Sequence, residues 1–218
     1  AVGPPLGKAH SAGNESWVWH ATISPDGKRV AVAREDGIGR IWDLESGVPT
    51  GRPLQHQERI GKIRFSPDGR WVATSSRDRT ARVWDASTGE PVTPFLHHEG
   101  PVRDLSFHPT RNCLLTACDD WQARIWKIEA AVSEPLLRFR HAGVVEYAEF
   151  SPDGNRIVTS SWDKTARVWD IDGTPVGRPM PHASGIPHAV FSRDGTQIAT
   201  ASADGTAIAH DHARVHFI

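Results

Sequence analysis

Histidine, threonine, aspartate and tryptophan recur in this chain at fixed spacings, and together they carry most of what a hydrolytic triad needs. Around the apolar residues Ile23, Phe65, Phe107, Phe150 and Phe191, an aspartate follows 13 positions on at Asp36, Asp78, Asp120, Asp163 and Asp204. Six residues later comes Trp42, Trp84, Trp126 or Trp169, with His210 in the fifth place. A histidine stands nine residues before the aromatic at His56, His98, His141 and His182, and a threonine nine residues after it at Thr74, Thr116, Thr159 and Thr200. A histidine between an acid and a hydroxyl is the arrangement that activates a nucleophile. Repetition argues against that use, because a catalytic group is needed once, at one cleft, whereas a group present in every repeat serves the framework.

Other candidate chemistry is weaker. His210, Asp211, His212 and His216 are the one cluster with metal-like proximity, and His210 and His212 would share a strand face. Solvated polar side chains on a degenerate last repeat account for them better, so no metal or cofactor is expected. Gly37-Ile38-Gly39 is a fragment of a glycine-rich loop without the helix that phosphate binding requires. No Gly-x-Ser-x-Gly elbow, His-Glu-x-x-His pair or paired metal cysteines occur, so no catalytic residue is assigned. Cys113 and Cys118 lie five apart on one expected strand, point to opposite faces and cannot bond there.

The elements that must position these columns follow from the period. The tryptophans recur at intervals of 42, 42 and 43 residues, and all length variation falls between a tryptophan and the next histidine. A rigid unit joined by an elastic connector is the result. Within it, β-rich runs are bounded by turns such as Ser66-Pro67-Asp68-Gly69 and Ser87-Thr88-Gly89. Each unit reads as four short antiparallel strands, the fourth carrying prolines that suit an outer edge, as around Pro91 to Leu96. The fold expected is all-β, a single domain over 1–218, with repeats at about 10–54, 55–96, 97–139, 140–180 and 181–218.

Composition bounds the partners. Lys plus Arg is 25 and Asp plus Glu 26, a net charge of −1 that gives no overall field for nucleic acid or an anionic membrane. Neither is expected as a partner. No run of 18 apolar residues exists and Ala1 to His10 do not read as a secretory signal, so a cytoplasmic location is expected.

Phe65-Ser66-Pro67-Asp68-Gly69, Asp78-Arg79-Thr80-Ala81-Arg82-Val83-Trp84-Asp85 and Asp163-Lys164-Thr165-Ala166-Arg167-Val168-Trp169-Asp170 resemble the WD40 repeat signature, and the resemblance covers nearly the whole chain. It implies a β-propeller of five four-stranded blades, either a closed ring or an arc of a larger one. In closed propellers of this family an N-terminal strand completes the last blade, a place that residues near Leu6 would take. The family also implies a hydrogen-bonded chain in each blade: His56, Thr74, Asp78 and Trp84; His98, Thr116, Asp120 and Trp126; His141, Thr159, Asp163 and Trp169. Asn14 and Val32 break it in the first repeat. The fourth-strand phrasing Gly47-Val48-Pro49-Thr50-Gly51-Arg52-Pro53-Leu54 is similar to repeats of large bacterial signalling proteins, which implies further WD repeats or a kinase domain in a parent chain.

The resemblance also marks a face for partners. The residue before each repeat aspartate projects from the rim that carries the His and Asp turns; these are Glu35, Arg77, Asp119, Trp162 and Ala203, with Trp121 close by. They vary while the frame does not, and Trp and Arg dominate interface energetics. The function expected is a non-enzymatic interaction scaffold for a protein or peptide. Two alternatives stand beside it: a propeller hydrolase with a channel site drawn from Asp119, Glu35 and His188, and an architectural spacer.

Overall fold

The computed structural model describes residues 16–128 and 134–211, and among them there are only strands, turns and bends. The first blade is β1 (Val18–Ile23), β2 (Arg29–Arg34), β3 (Ile38–Asp43) and β4 (Pro49–Gln55). The second is β5 (Ile60–Phe65), β6 (Trp71–Ser76), β7 (Thr80–Asp85) and β8 (Leu96–His97). The third is β9 (Val102–Phe107), β10 (Cys113–Cys118), β11 (Gln122–Lys127) and β12 (Leu137–Arg140). The fourth is β13 (Val145–Phe150), β14 (Arg156–Ser161), β15 (Thr165–Asp170) and β16 (Pro175–Pro181). The fifth has β17 (His188–Phe191), β18 (Gln197–Ala201) and β19 (Ala207–Asp211), three strands among the described residues. Each sheet is an antiparallel meander in sequence order. Leu6, Asn14, His212 and His216 lie outside the described residues.

Alternation along the strands sets the core. In each blade one sheet face packs on the inner strand and second strand of the next blade. Ala31, Ala33, Ile41 and Leu54 meet Ile60, Ile63, Val72 and Trp84, and Leu115, Ala117, Ile125 and Phe139 meet Val145, Ala148, Phe150 and Trp169. Burial of this kind contributes about 1.5–3 kcal/mol per large side chain, which is what holds blade to blade. Extensive packing links β1 to β5, β5 to β9, β9 to β13 and β13 to β17, whereas β1 and β17 have no such packing on each other. The ends differ accordingly. Val18 and Ile23 on β1 are each 61 % exposed, and Ala207 and Ala209 on β19 are exposed where Ala81 and Val83 are fully buried.

Prolines shape the outer strands. In the second blade Pro91 bridges Trp84 and regular pairing resumes only at Leu96, while the Thr93 hydroxyl accepts from Val83 N at 3.1 Å in place of a backbone partner. Gly51 sits at φ 66°, and a Cβ there would overlap the Thr88 carbonyl. That close approach lets Arg52 N donate to Thr88 O at 2.8 Å, tying the first blade to a turn of the second. Cys113 and Cys118 are both free thiols.

Candidate functional site

The repeated polar residues meet in a relay inside the blades. In the second blade the Trp84 indole donates to Thr74 Oγ1 at 2.8 Å, the Thr74 hydroxyl lies 2.7 Å from His56 Nε2, and His56 Nδ1 donates to Asp78 Oδ2 at 3.0 Å. The fourth blade repeats it: Trp169 to Thr159 at 2.9 Å, Thr159 to His141 at 2.7 Å, His141 to Asp163 at 2.8 Å. Burial pushes the Asp78 and Asp163 carboxyls up, but the bonds from histidine and from Thr80 or Thr165 outweigh it and hold both well below the usual carboxylate range. No reacting atom could enter, because the histidine and threonine side chains of both relays are buried.

The third blade departs from this pattern. His98 Nδ1 donates to Leu96 O at 2.9 Å instead of to Asp120, and its Nε2 accepts from Thr116, which in turn accepts from Trp126. Asp120 is taken by Arg124 in a two-bond fork at 2.9 and 2.7 Å. The cause is local: Gln122 stands where Thr80 and Thr165 offer a hydroxyl to the aspartate, so the vacated acceptor recruits the guanidinium four residues on. Burial, with the Arg124 charge beside it, lowers His98 to about 3. In the fifth blade His210 Nε2 reaches Thr200 Oγ1 at 3.1 Å, standing in for the missing indole.

The rim is built from a second repeated feature. In the first four blades the inner strand carries a β-bulge, at Trp19, Gly61, Arg103 and Glu146. A bulge re-aims its side chain. Here it points toward the residue that precedes the repeat aspartate. Trp19 Nε1 donates to Glu35, the Arg103 guanidinium clasps Asp119 through two bonds, and Trp162 Nε1 donates to Glu146 at 3.0 Å. Each pre-aspartate N–H also bonds the carbonyl two residues before the bulge position: Glu35 to Trp17, Arg77 to Arg59, Asp119 to Pro101, Trp162 to Val144, Ala203 to Gly185. Glu35, Arg77, Asp119 and Trp162 therefore occupy one equivalent place on four successive blades.

Aromatic surface is concentrated there. Trp19 and Trp162 are 51 % and 49 % exposed, and Trp17 and Trp121 more so. Trp162 also lies over Gly185 of the fifth blade, where any Cβ would overlap its ring, so it touches a neighbour and faces solvent at once. Trp121 holds φ 70°, a left-handed position that Gly37 and Gly205 take elsewhere and that a bulky residue rarely adopts.

A family model for the WD domain, G-beta repeat, matches residues 5–43, 48–85, 89–127, 133–170 and 173–211. The chain belongs to the WD40 repeat family. No curated protein matches it. WD40 propellers generally mediate protein–protein interaction and are generally not catalytic, so the rim, built from the same turns as the relays, is the surface to weigh first.

Within this WD40 frame each residue weighed for a channel hydrolase has a partner of its own. Glu35 is held by Trp19 and by Arg59 at 3.8 Å, Asp119 by Arg103, and the His188 ring stacks on Tyr147 at 4.1 Å. They sit on three blades, each with its own partners. Sequence reasoning missed a different polar set on the inner strands: Arg64 Nη2 meets Asp104 Oδ1 at 3.3 Å, and the Tyr147 hydroxyl donates to Glu149 at 2.9 Å. Burial raises Asp104 and Glu149 and lowers His188, and burial with Lys62 and Arg64 nearby lowers His20 to about 4. The available signal was a third varying column, His20, Lys62, Asp104, Tyr147 and His188, three residues before each repeat aromatic. Among the described residues no group of three or more histidine, cysteine or acidic side chains is placed to hold a metal ion. No helix there is long and apolar enough to cross a membrane.

Proposed function

We propose that this chain is a non-enzymatic scaffold that holds a protein or peptide on the rim bearing the His and Asp turns. The observation that carries the reading is the contrast at one position. Glu35, Arg77, Asp119 and Trp162 share a backbone hydrogen bond and a place in the blade, yet differ in chemistry from blade to blade. A frame that repeats around a column that varies is what a display surface needs. The half-exposed indoles of Trp19, Trp121 and Trp162 supply apolar area, and the near-neutral net charge favours neither nucleic acid nor an anionic membrane as partner. A cytoplasmic role within a larger signalling or regulatory chain fits the phrasing of the fourth strands.

The test is capture from a lysate with the isolated chain, followed by affinity measurement on the purified partner. Trp162→Ala should weaken binding by about 2 kcal/mol or more if that indole is a hot spot. Asn155→Ala, in a turn on the opposite face, should change almost nothing. Normal binding by the Trp162 variant, with loss on changing Asn155, would reverse the face assignment.

A further inference from the structure

Among the described residues, the side chain before the repeat aspartate meets a partner in the first, third and fourth blades and none in the second. There, Gly61 occupies the bulge position, so no side chain rises to meet Arg77, which is exposed and has no hydrogen bond or ion pair to its side chain among the described residues. The residue joined to it through the backbone is another arginine, Arg59, whose carbonyl accepts from Arg77 N at 3.0 Å. The first blade sets Trp17 against Glu35 at this pair, the third Pro101 against Asp119, the fourth Val144 against Trp162. Two cations side by side destabilise a sheet rather than support it. The carboxylates nearby in the rim leave Arg77 unmet: Asp119 is clasped by Arg103, Glu146 accepts from Trp162, and Glu35 is bonded to Trp19 and pairs with Arg59 at 3.8 Å.

The second blade is also open where the others are filled. A Cβ built on Gly61 meets nothing nearer than 3.9 Å, so the absent side chain leaves a notch rather than a packed contact. Arg59 borders it, its guanidinium carbon over the Trp19 ring at 3.7 Å from the ring centre and its buried Nε lacking a partner. Stacking fixes that guanidinium and leaves its edge to donate. Arg77 and Arg103 both add positive potential at Arg59.

We infer that the notch above Gly61, between Arg59 and Arg77, receives an oxyanion carried by the partner peptide, the carboxylate of an acidic residue or the phosphate of a phosphorylated one. Guanidinium pairs favour planar or tetrahedral oxyanions through forked bonds. The ligand takes the place that the Glu146 side chain fills in the fourth blade. This assignment rests on the rim being the binding face and adds the chemistry of one subsite.

The experiment uses the whole chain and three probes: an acetylated hexaglutamate peptide, its hexaglutamine counterpart, and a glutamine peptide with one phosphoserine. Tryptophan emission is the readout, since Trp19 lies under Arg59. Saturable binding of hexaglutamate or the phosphopeptide, absent for hexaglutamine and weakened by added salt, is expected. Arg77→Ala should lower that affinity about tenfold to a hundredfold, the cost of one charge-assisted contact. Gly61→Glu should fold, since the space is open, and should block binding by supplying an internal carboxylate. Binding through the phosphopeptide alone, with the same Arg77 dependence, identifies phosphate as the source. Affinities unchanged in both variants, or no saturable binding of either anionic peptide, overturn the assignment. Trp162→Ala separates this from the wider reading: if it spares capture of the partner while Arg77→Ala abolishes peptide binding, the subsite stands without the extended rim.

Discussion

Replacing Asp78 with alanine isolates the relay's contribution to stability. The carboxylate accepts from His56 Nδ1 at 3.0 Å and Gln57 N at 2.9 Å through one oxygen, and from Thr80 N and Oγ1 at 2.9 and 2.6 Å through the other. Gln57 is exposed and water can replace its partner, but the His56 side chain is fully buried. One buried donor left unmet costs about 1–3 kcal/mol. Thr80 Oγ1, itself 3.0 Å from His56 Nδ1, recovers part of this, so a loss of about 2 kcal/mol is expected. Asp36→Ala is the matched control. Its carboxylate meets Arg34 at 2.9 Å and Ile38 N at 3.1 Å in an exposed turn, contacts worth about 1 kcal/mol or less. Asp120→Ala should cost more than either, about 3 kcal/mol or above, because it strands the buried Arg124 guanidinium without its counter-ion. Urea titrations at pH 7 with m-values compared across the three variants give the answer. Equal losses at Asp36 and Asp78 would refute the relay as the source of stability, and a loss at Asp120 no larger than at Asp36 would refute the account of Arg124.

The remaining predictions test neighbouring features. His98 is held neutral, its value lowered to about 3 first by burial and then by Arg124, so its contribution is present above the unfolded value near 6.5 and lost as pH falls below it, by up to about 1.4 kcal/mol per unit. Stability measured from pH 7 to 5 should therefore fall less steeply in His98→Gln than in the parent, and parallel slopes would remove His98 as the cause. Asp78 and Asp163 act lower: held below the ordinary range, they stabilise above the unfolded carboxylate value near 3.9 and lose that effect as pH falls through their own. Gly185→Ala should push the Trp162 ring off its seat, breaking the bond to Glu146 and changing the near-ultraviolet circular dichroism, with stability altered by about 1 kcal/mol or less. An unchanged spectrum would mean that the ring does not rest there.

Period and residue type made the frame readable before any coordinates. Fixed spacings from His56 through Trp84 bring together two side chains on neighbouring strands and two from the turns at their ends, and the same spacing from His141 through Trp169 yields the same distances to within 0.2 Å. What stayed hidden depended on a single changed neighbour. Nothing in the columns themselves shows that Gln122 in place of threonine turns Asp120 toward Arg124. A His-Pro-Thr-Arg turn at 108–111 stands where the second repeat has Ser66-Pro67-Asp68-Gly69, and His108 is buried there. Its Nδ1 accepts from Thr110 N and Arg111 N, and its Nε2 donates to Gly154 O of the next blade at 3.0 Å. One imidazole thereby serves as turn acceptor and inter-blade donor. The bulges were hidden too: the extra residue sets the buried Ile60 and Ile63, and Val145 and Ala148, three apart instead of two, a break in alternation too brief to mark by itself.

The frame and the rim come from the same turns, and that explains why one repeats while the other varies. Asp78 and Asp163 are pinned by four donors each, so their backbone positions are fixed regardless of what precedes them. The residue before each is fixed in the turn through its N–H, to Arg59 O or Val144 O, and its side chain meets rim neighbours at most, as Trp162 meets Glu146 and Gly185. Substitution there costs the fold little, whereas substitution one residue later costs a buried bond. Where such a side chain is paired by its bulge partner, as Asp119 is by Arg103, its charge is neutralised within the blade. Arg77, over a glycine and beside a second arginine, meets no anionic side chain among the described residues, so its electrostatic energy is recovered when a ligand supplies the anion.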